Sequence, residues 1–251
     1  MDKKVCIVTG ASGGIGIKIV RKFLEEGCFV VMTDLDAERL SLKAEENGLN
    51  GDSYRICTLD ITKEEDVRET LSELYEEYGH FDILVNAAGI CGEYCRTVDC
   101  SFDNFKRIYE VNVFGTFLMM KYTLPYMVKQ KCGAIVNFGS VSGMRGYPYE
   151  VAYGSSKWAV IGMTENVASE YGGEGIRCNS VSPGWVDTPM MKKTVENYSK
   201  IDDPKKCVSY GSISRAARPE EIADAVYYLC SPQASFVNGT NLTVDGGMII
   251  R

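Results

Sequence analysis

Tyr153 and Lys157 lie four residues apart in "VAYGSSKWAV", a segment that otherwise reads as the start of an apolar helix. A phenol and an ammonium therefore share one helix face, one turn apart. A free tyrosine titrates near ~10 and is a poor base at neutral pH unless a positive charge favours the phenolate. Lys157 can supply that charge. The pair then accepts a proton from an alcohol that is losing hydride, or in reverse protonates a carbonyl oxygen as hydride arrives. Ser140 closes "AIVNFGS" thirteen residues before Tyr153, where its hydroxyl can share the substrate oxygen with the phenol. Asn112, in the apolar "FDNFKRIYEVNVFGTFLMM", is an unusual residue to bury. It can cap, stay exposed, or hold a water against Lys157 in a proton relay. Taken alone, the Tyr–Lys spacing fits a surface pair better; the spacing to the other polar groups changes that.

A second set of residues suits a nucleotide. "VTGASGGIG" follows a β-branched run and opens a helical pattern, so Gly10, Gly14 and Gly16 can turn the chain, approach a pyrophosphate and pack helix on strand. The spacing is TGxxxGxG, not GxGxxG. Asp34 ends the next strand, where a carboxylate can hydrogen-bond both ribose hydroxyls of an adenosine and repel a 2′-phosphate. Gly13 and Leu35 stand where readers of NADP carry a cation. The alternative for Asp34 is a turn residue in "TDLDAE". Asp60, in "TLDIT", can meet an adenine edge or cap the following helix. "NAAG", Asn86 to Gly89, leaves room for a flat ligand.

Positioning these groups requires an ordered series of elements. "KVCIVT", "CFVVMTD", "SYRICTL", "FDILVNAAG", "AIVNFGS", "IRCNSVSPG" and "NLTVDGG" read as seven strands. Between them lie helical patterns such as "GIGIKIVRKFLEEG" and "DAERLSLKAEEN", and "TKEEDVRETLSELYEEYG" opens with Thr62 and Glu65 spaced as a capping box. The alternation predicts an α/β fold, a doubly wound, Rossmann-like sheet of about seven parallel strands with helices on both faces. No linker divides the chain, so one catalytic domain over 1–251 is expected. Residues 184–221 are long and poorly periodic, which suggests a substrate-binding lid.

Composition narrows the possibilities. A chain of 251 residues, 45% hydrophobic, can bury a substantial core. The formal charge of −7, with no basic run, argues against nucleic acid or an anionic membrane as partner. The apolar run Val5 to Val8 is too short for a signal-peptide core, and no stretch approaches a membrane span, so the expected compartment is the cytoplasm. Ten scattered cysteines without an export signal read as buried thiols, and Cys91, Cys95 and Cys100 lack zinc-site spacing. His80 is the only histidine, which excludes a Ser-His-Asp or Cys-His nucleophile, and its setting in "EEYGHFDIL" reads as a surface turn.

Taken together, TGxxxGxG at 9 to 16, Asp34, Asp60, "NAAG", Asn112, Ser140, Tyr153, Lys157 and "PGWVDT" at 183 to 188 resemble the short-chain dehydrogenase/reductase family over essentially the whole chain. The resemblance implies a catalytic tetrad of Asn112, Ser140, Tyr153 and Lys157, with Lys157 also on the nicotinamide ribose. It further implies cofactor contacts from Gly10, Ser12, Gly13, Gly14, Ile15, Gly16, Asp34, Leu35, Asp60, Ile61, Asn86, Ala87, Gly89, Pro183, Gly184, Val186 and Thr188. "NAAG" departs from the family's usual NNAG, which weakens one strand-to-strand hydrogen bond. The cofactor expected from Asp34 is NAD (NADH).

The resemblance leaves the substrate open. Ser142, Tyr147, Tyr149, Trp185, Met190 and Met191 are expected pocket walls, and their bulk suits a cyclic or hydroxysteroid-like secondary alcohol, with a polyol also considered. They fit lid packing or a subunit contact as well. Arg145 is either a partner for a substrate carboxylate or a solvated loop residue. The alternatives are a 3-oxoacyl thioester reductase of fatty-acid synthesis and a catalytically silent NAD-binding scaffold. A homotetramer is expected from the family, with a dimer as fallback.

Overall fold

The computed structural model describes residues 3–49, 51–201 and 209–250. Seven strands form one parallel sheet: β1 (Val5–Thr9), β2 (Phe29–Asp34), β3 (Tyr54–Thr58), β4 (Ile83–Asn86), β5 (Gly133–Phe138), β6 (Ile176–Pro183) and β7 (Asn241–Val244), in the order β3, β2, β1, β4, β5, β6, β7. Every ladder is parallel. The strand order reverses between β1 and β4, and the crevice at their C-terminal ends is where such sheets bind ligands.

Among the described residues the α-helices are α1 (Gly16–Glu25), α2 (Ala37–Glu46), α3 (Glu64–Tyr78), α4 (Phe102–Tyr109), α5 (Thr116–Gln130), α6 (Val151–Tyr171), α7 (Pro189–Ser199) and α8 (Pro219–Cys230). Alternate strand residues feed two cores. Cys6, Val8, Val30, Met32 and Val136 pack with Ile19 and Phe23 of α1 and Ile222 and Val226 of α8. Ile7, Val31, Leu84 and Ile135 pack on the opposite face with Leu71 of α3 and Met119 of α5. Burial on both faces is what makes these strands read as nearly unbroken apolar runs.

One buried polar chain registers the sheet against α6. Asn86 of β4 donates to Asn137 Oδ1 on β5 (2.8 Å), and Asn137 Nδ2 donates to Thr164 Oγ1 on α6 (2.9 Å). Asn137 and Thr164 are fully enclosed. Asn86 is therefore a structural link between strands, and it does not line the cleft that the cofactor residues share.

Three local expectations change. Thr62 does not cap α3: its N–H and hydroxyl both donate to Asp60 Oδ1 (2.9 and 2.7 Å), and Lys63 takes the cap position. A local Asx turn satisfies both donors before the helix begins. The long apolar run around Asn112 is two helices joined by a π-helical turn over Glu110–Gly115, a local widening that recurs at functional sites. The region 184–221 contains two ordered pieces. Pro189 opens α7 behind Thr188, whose hydroxyl accepts from Met191 N–H (3.3 Å), and Pro219 opens α8. Residues 202–208 of the expected lid lie outside the described residues. The base of this region is tied off, with Val186 bridged to Ala217 and Asp187 N–H donating to Ala217 O (2.9 Å).

Candidate functional site

One cleft of about 890 Å³ runs along the C-terminal ends of the central strands, from the glycine turn after β1 to the start of α6. At its nucleotide end Gly10 has φ +64°, and a Cβ on Gly16 would lie 2.1 Å from Gly10 O, so the turn closes tightly only with glycine at both places. The Gly13 N–H is taken by Gly10 O (3.0 Å) and the Ser12 N–H by Asp34 Oδ2 (3.1 Å). Those of Gly14 and Ile15 find no acceptor among the described residues, and the first turn of α1 carries no acidic side chain. Two open N–H groups at a helix start fit a pyrophosphate.

Asp34 has two jobs. Its carboxylate accepts from the Ser12 hydroxyl (2.5 Å) and from Leu35 N–H (2.8 Å), bracing the glycine turn, while the side chain still lines the cleft beside Leu35. A carboxylate has about four acceptor positions, so a ribose hydroxyl can still be accommodated. Asp60 also lines the cleft while forming the Asx turn, next to Ile61. Arg39, absent from the sequence expectations, reaches the same end of the cleft from the first turn of α2 and makes no ion pair among the described residues. Its position five residues after Asp34 was the available signal.

At the other end, Ser140, Tyr153 and Lys157 come together. The Ser140–Gly143 turn packs so closely on α6 that a Cβ on Gly143 would meet Lys157 backbone at 2.7 Å. Ser140 Oγ accepts from Ser142 N–H (3.2 Å) and lies beside the Tyr153 phenol, close enough to favour its anion. Lys157 Nζ lies 5.7 Å from the Tyr153 ring centroid and donates to Phe138 O (2.8 Å). Burial pulls the Lys157 ammonium down to about 8. Tyr153 departs from the sequence reading: burial pushes its phenol well above the ordinary value, Cys91 and Glu150 add to the rise, and only the Ser140 hydroxyl opposes it. With its ammonium engaged by Phe138, Lys157 does not by itself shift Tyr153 toward phenolate.

Asn112 stands behind the cleft, not on its wall. It is 1% exposed; Oδ1 accepts from Ile90 N–H (2.9 Å), and Nδ2 donates to Ile90 O (2.9 Å) and Ser156 Oγ (3.0 Å). Its side chain thus clamps the irregular segment following "NAAG" onto α6. A Cβ on Gly89 would lie 3.3 Å from both Asn112 Oδ1 and Lys157 Nζ, so these two groups converge there. Ala87, Gly89, Pro183, Gly184, Val186 and Thr188 line the cleft as expected. The Thr188 hydroxyl, however, is already engaged as the α7 cap, donating to Val186 O (3.2 Å).

Of the expected pocket walls, Ser142, Tyr147, Trp185, Met190 and Met191 line the cleft. Tyr149 does not; its backbone is left-handed (φ +69°) and its ring packs edge-on toward Tyr198 at 6.4 Å. Sequence reasoning missed Cys91, Tyr94, Glu150, Thr194 and Tyr198, all of which line the cleft. Tyr94 hydrogen-bonds Thr194 Oγ1 (2.9 Å), the Tyr198 hydroxyl donates to Glu150 Oε1, and the rings of Tyr94 and Tyr198 meet at 4.7 Å. Only the place of Glu150 one turn before Tyr153 signalled it. Cys91 is inside the cleft while Cys95, with Cys100 beside it, is on the adjoining loop, where burial and Cys100 push the Cys95 thiol up to about 11. His80 joins α3 to β4, its ring nitrogens 2.9 Å from Tyr78 O and 3.2 Å from Lys3 O.

The family model described as enoyl-(acyl carrier protein) reductase matches residues 10–249. The chain belongs to the short-chain dehydrogenase/reductase family. It is 36% identical to the 3-oxoacyl-[acyl-carrier-protein] reductase FabG of Thermotoga maritima, covering 100% of this chain and 99% of that protein. It is 37% identical to 2-(R)-hydroxypropyl-CoM dehydrogenase of Xanthobacter autotrophicus, covering 97% of each. Among solved structures, NAD+-bound xylitol dehydrogenase superimposes with a TM-score of 0.91 at 34% identity, covering 97% of this chain and 98% of that one. This short-chain dehydrogenase/reductase is thus an oxidoreductase acting on CH–OH groups. No described helix is long and apolar enough to cross a membrane.

Proposed function

We propose that this chain interconverts a secondary alcohol and its ketone with NAD as hydride carrier, using Ser140, Tyr153 and Lys157 at the reacting oxygen and Asn112 behind them. The observation that carries the reading is the meeting of the Ser140 hydroxyl and the Tyr153 phenol at one end of a cleft whose other end is the glycine turn and Asp34. The cofactor supplies the hydride transfer and, when oxidised, one positive charge. Around it, burial keeps the Tyr153 phenol protonated, so that it has a proton to give to a ketone oxygen as negative charge develops there, and Ser140 holds that oxygen in place. In the oxidative direction the phenol must lose its proton, which the positive charge of the oxidised cofactor would favour where Lys157 alone does not. Gly14 and Ile15 would hold the pyrophosphate, and Asp34 the adenosine ribose.

Asp34 favours NAD over NADP, and Arg39 supports the opposite reading, because a guanidinium with no ion pair among the described residues, on the same wall, suits a 2′-phosphate. We place NAD first because the Asp34 charge is fixed by Ser12 and Leu35, whereas Arg39 reaches in from α2. The relatives' names span a 3-oxoacyl-[acyl-carrier-protein] reductase, a 2-(R)-hydroxypropyl-CoM dehydrogenase and a xylitol dehydrogenase, so they leave the substrate class undecided. The half-exposed Phe114, Phe117 and Trp158 on and beside α5 and α6 support a homotetramer; light scattering on the purified protein tests that. The function is tested by following nicotinamide absorbance with each cofactor against cyclic alcohols, hydroxysteroids, polyols and 3-oxoacyl thioesters. Alcohol oxidation with NAD+ supports the proposal, and thioester reduction with NADPH alone would replace it.

A further inference from the structure

One wall of the reaction end is α7, which contributes Met190, Met191, Thr194 and Tyr198 to the cleft. Met190, Thr194 and Tyr198 recur at every fourth residue and so share one helix face. Of the residues of α7 only Thr194 and Tyr198 are buried, so those two side chains anchor its inner face. Each ends in a hydrogen bond. Thr194 Oγ1 meets the Tyr94 hydroxyl at 2.9 Å, and the Tyr198 hydroxyl donates to Glu150 Oε1. The rings of Tyr94 and Tyr198 pack at 4.7 Å, and Tyr149 meets Tyr198 at 6.4 Å. The two partners of α7 are themselves joined, because Cys95 N–H donates to Tyr149 O (3.2 Å). Glu150 in turn belongs to α6, its carbonyl accepting from Gly154 N–H (2.7 Å). Tyr94, Thr194, Tyr198, Glu150, Tyr149 and Cys95 therefore close a circuit. Tyr149 is held in it at φ +69°, a strained setting for an aromatic residue that persists where surrounding contacts impose it.

We propose that Glu150 is a positioning residue: through Tyr198 it straps the cleft-lining face of α7 to the start of the helix that carries Tyr153, and so sets how tightly substrate is held. The proposal rests on the dehydrogenase reading above. Oε1 accepts a hydrogen bond whether the carboxyl is ionised or protonated, so the strap does not depend on the charge of Glu150. The chemical groups are fixed by other contacts. Lys157 Nζ donates to Phe138 O on β5 (2.8 Å), and Asn112 Nδ2 donates to Ser156 Oγ on α6 (3.0 Å). Neither contact involves α7. Releasing α7 therefore loosens the wall against which the substrate lies while Ser140, Tyr153 and Lys157 keep their places, which is a loss of binding and not of chemistry.

Tyr198→Phe is the first variant, because it removes one oxygen and keeps the ring contacts. Glu150→Ala, Glu150→Gln and the double variant Tyr198→Phe with Glu150→Ala accompany it. The readouts are amide hydrogen exchange across α7, and kcat and KM for NAD+-dependent oxidation of xylitol, cyclohexanol and a 3-hydroxysteroid. Tyr198→Phe and Glu150→Ala should each speed exchange in α7 by about tenfold and raise KM by a similar factor, with kcat within about threefold, as the loss of one buried hydrogen bond predicts. The double variant should be no worse than either single one, because both remove the same bond. Glu150→Gln keeps an acceptor and should recover most of the loss. Exchange in α7 unmoved by Tyr198→Phe, or single losses that add in the double variant, overturns the strap and leaves the dehydrogenase reading standing. A fall in kcat with KM unchanged also overturns it, since Glu150 would then act on the chemistry. No oxidation of any of the three alcohols overturns the dehydrogenase reading and with it the part of Glu150 in the reaction, even where exchange shows that Tyr198 tethers α7.

Discussion

Lys157 is an ammonium enclosed at the foot of the cleft, 5% exposed, with a backbone carbonyl and no carboxylate as its bonded partner. Its pKa falls from 10.5 to about 8, with burial as the cause. Between those values the unfolded chain holds a proton that the folded chain has released, so folding stability must rise with pH through that window. From about pH 7 to about pH 9.5 the gain is about 2 kcal/mol, the integral of the released proton at about 1.36 kcal/mol per pH unit, about four-fifths of it above pH 8. Lys157→Met keeps the length of the side chain and removes the titration. Urea unfolding of both proteins at the two pH values isolates the effect, because every other group titrates alike in each. The wild type should gain about 2 kcal/mol on the variant as pH rises. Parallel stability curves would mean that Lys157 titrates as if exposed, and the account of the chemical end would lose its buried charge.

Tyr153→Phe should lower kcat by at least about a hundredfold, the usual worth of a positioned proton carrier, while NADH binding measured by fluorescence changes little; a kcat within about threefold of wild type would remove Tyr153 from the chemistry. Asp34→Asn keeps an acceptor for Ser12 and discards the charge, so kcat/KM for NADP+ relative to NAD+ should rise by about tenfold or more, equivalent to about 1.4 kcal/mol; an unmoved ratio would leave Asp34 as a brace alone. Gly16→Ala drives a methyl group against Gly10 O and should cost at least about 2 kcal/mol in thermal or urea unfolding, with near-native stability contradicting the close approach. Thr164→Val leaves the Asn137 amide only the weak sulfur acceptors Met120 Sδ (3.3 Å) and Cys178 Sγ (3.6 Å) and should cost about 1–3 kcal/mol, whereas a neutral result would show that the sulfurs suffice.

The sheet was legible because burial on both faces writes itself into composition: "KVCIVT" and "AIVNFGS" need no neighbours to read as strands. The glycine turn, Asp34 and the Ser140, Tyr153 and Lys157 set were legible because each falls at a strand end or a helix start. Asn86 and Thr62 were misread for a common reason. Both have short polar side chains whose partners, Asn137 across a ladder and Asp60 two residues back, compete with the assumed ones. Asn112 was noticed as odd but its role depends on a π-helical turn that leaves no mark in periodicity. Glu150, Tyr94 and Tyr198 were illegible because their contacts join segments 48 and 100 residues apart. The direction of the Tyr153 shift likewise depends on its burial in the folded chain, to which Cys91 and Glu150 add from distant segments.

The asparagine chain from β4 through β5 to Thr164 grips α6 seven residues beyond Lys157. A helix advances about 100° per residue, so a single residue gained or lost between Lys157 and Thr164 would swing the phenol and ammonium away from Ser140 while the grip stayed where it was. That short stretch therefore works as an index mark on a dial: its side chains can be exchanged, but its length cannot, and homologous variation there must take the form of substitution and never of insertion or deletion.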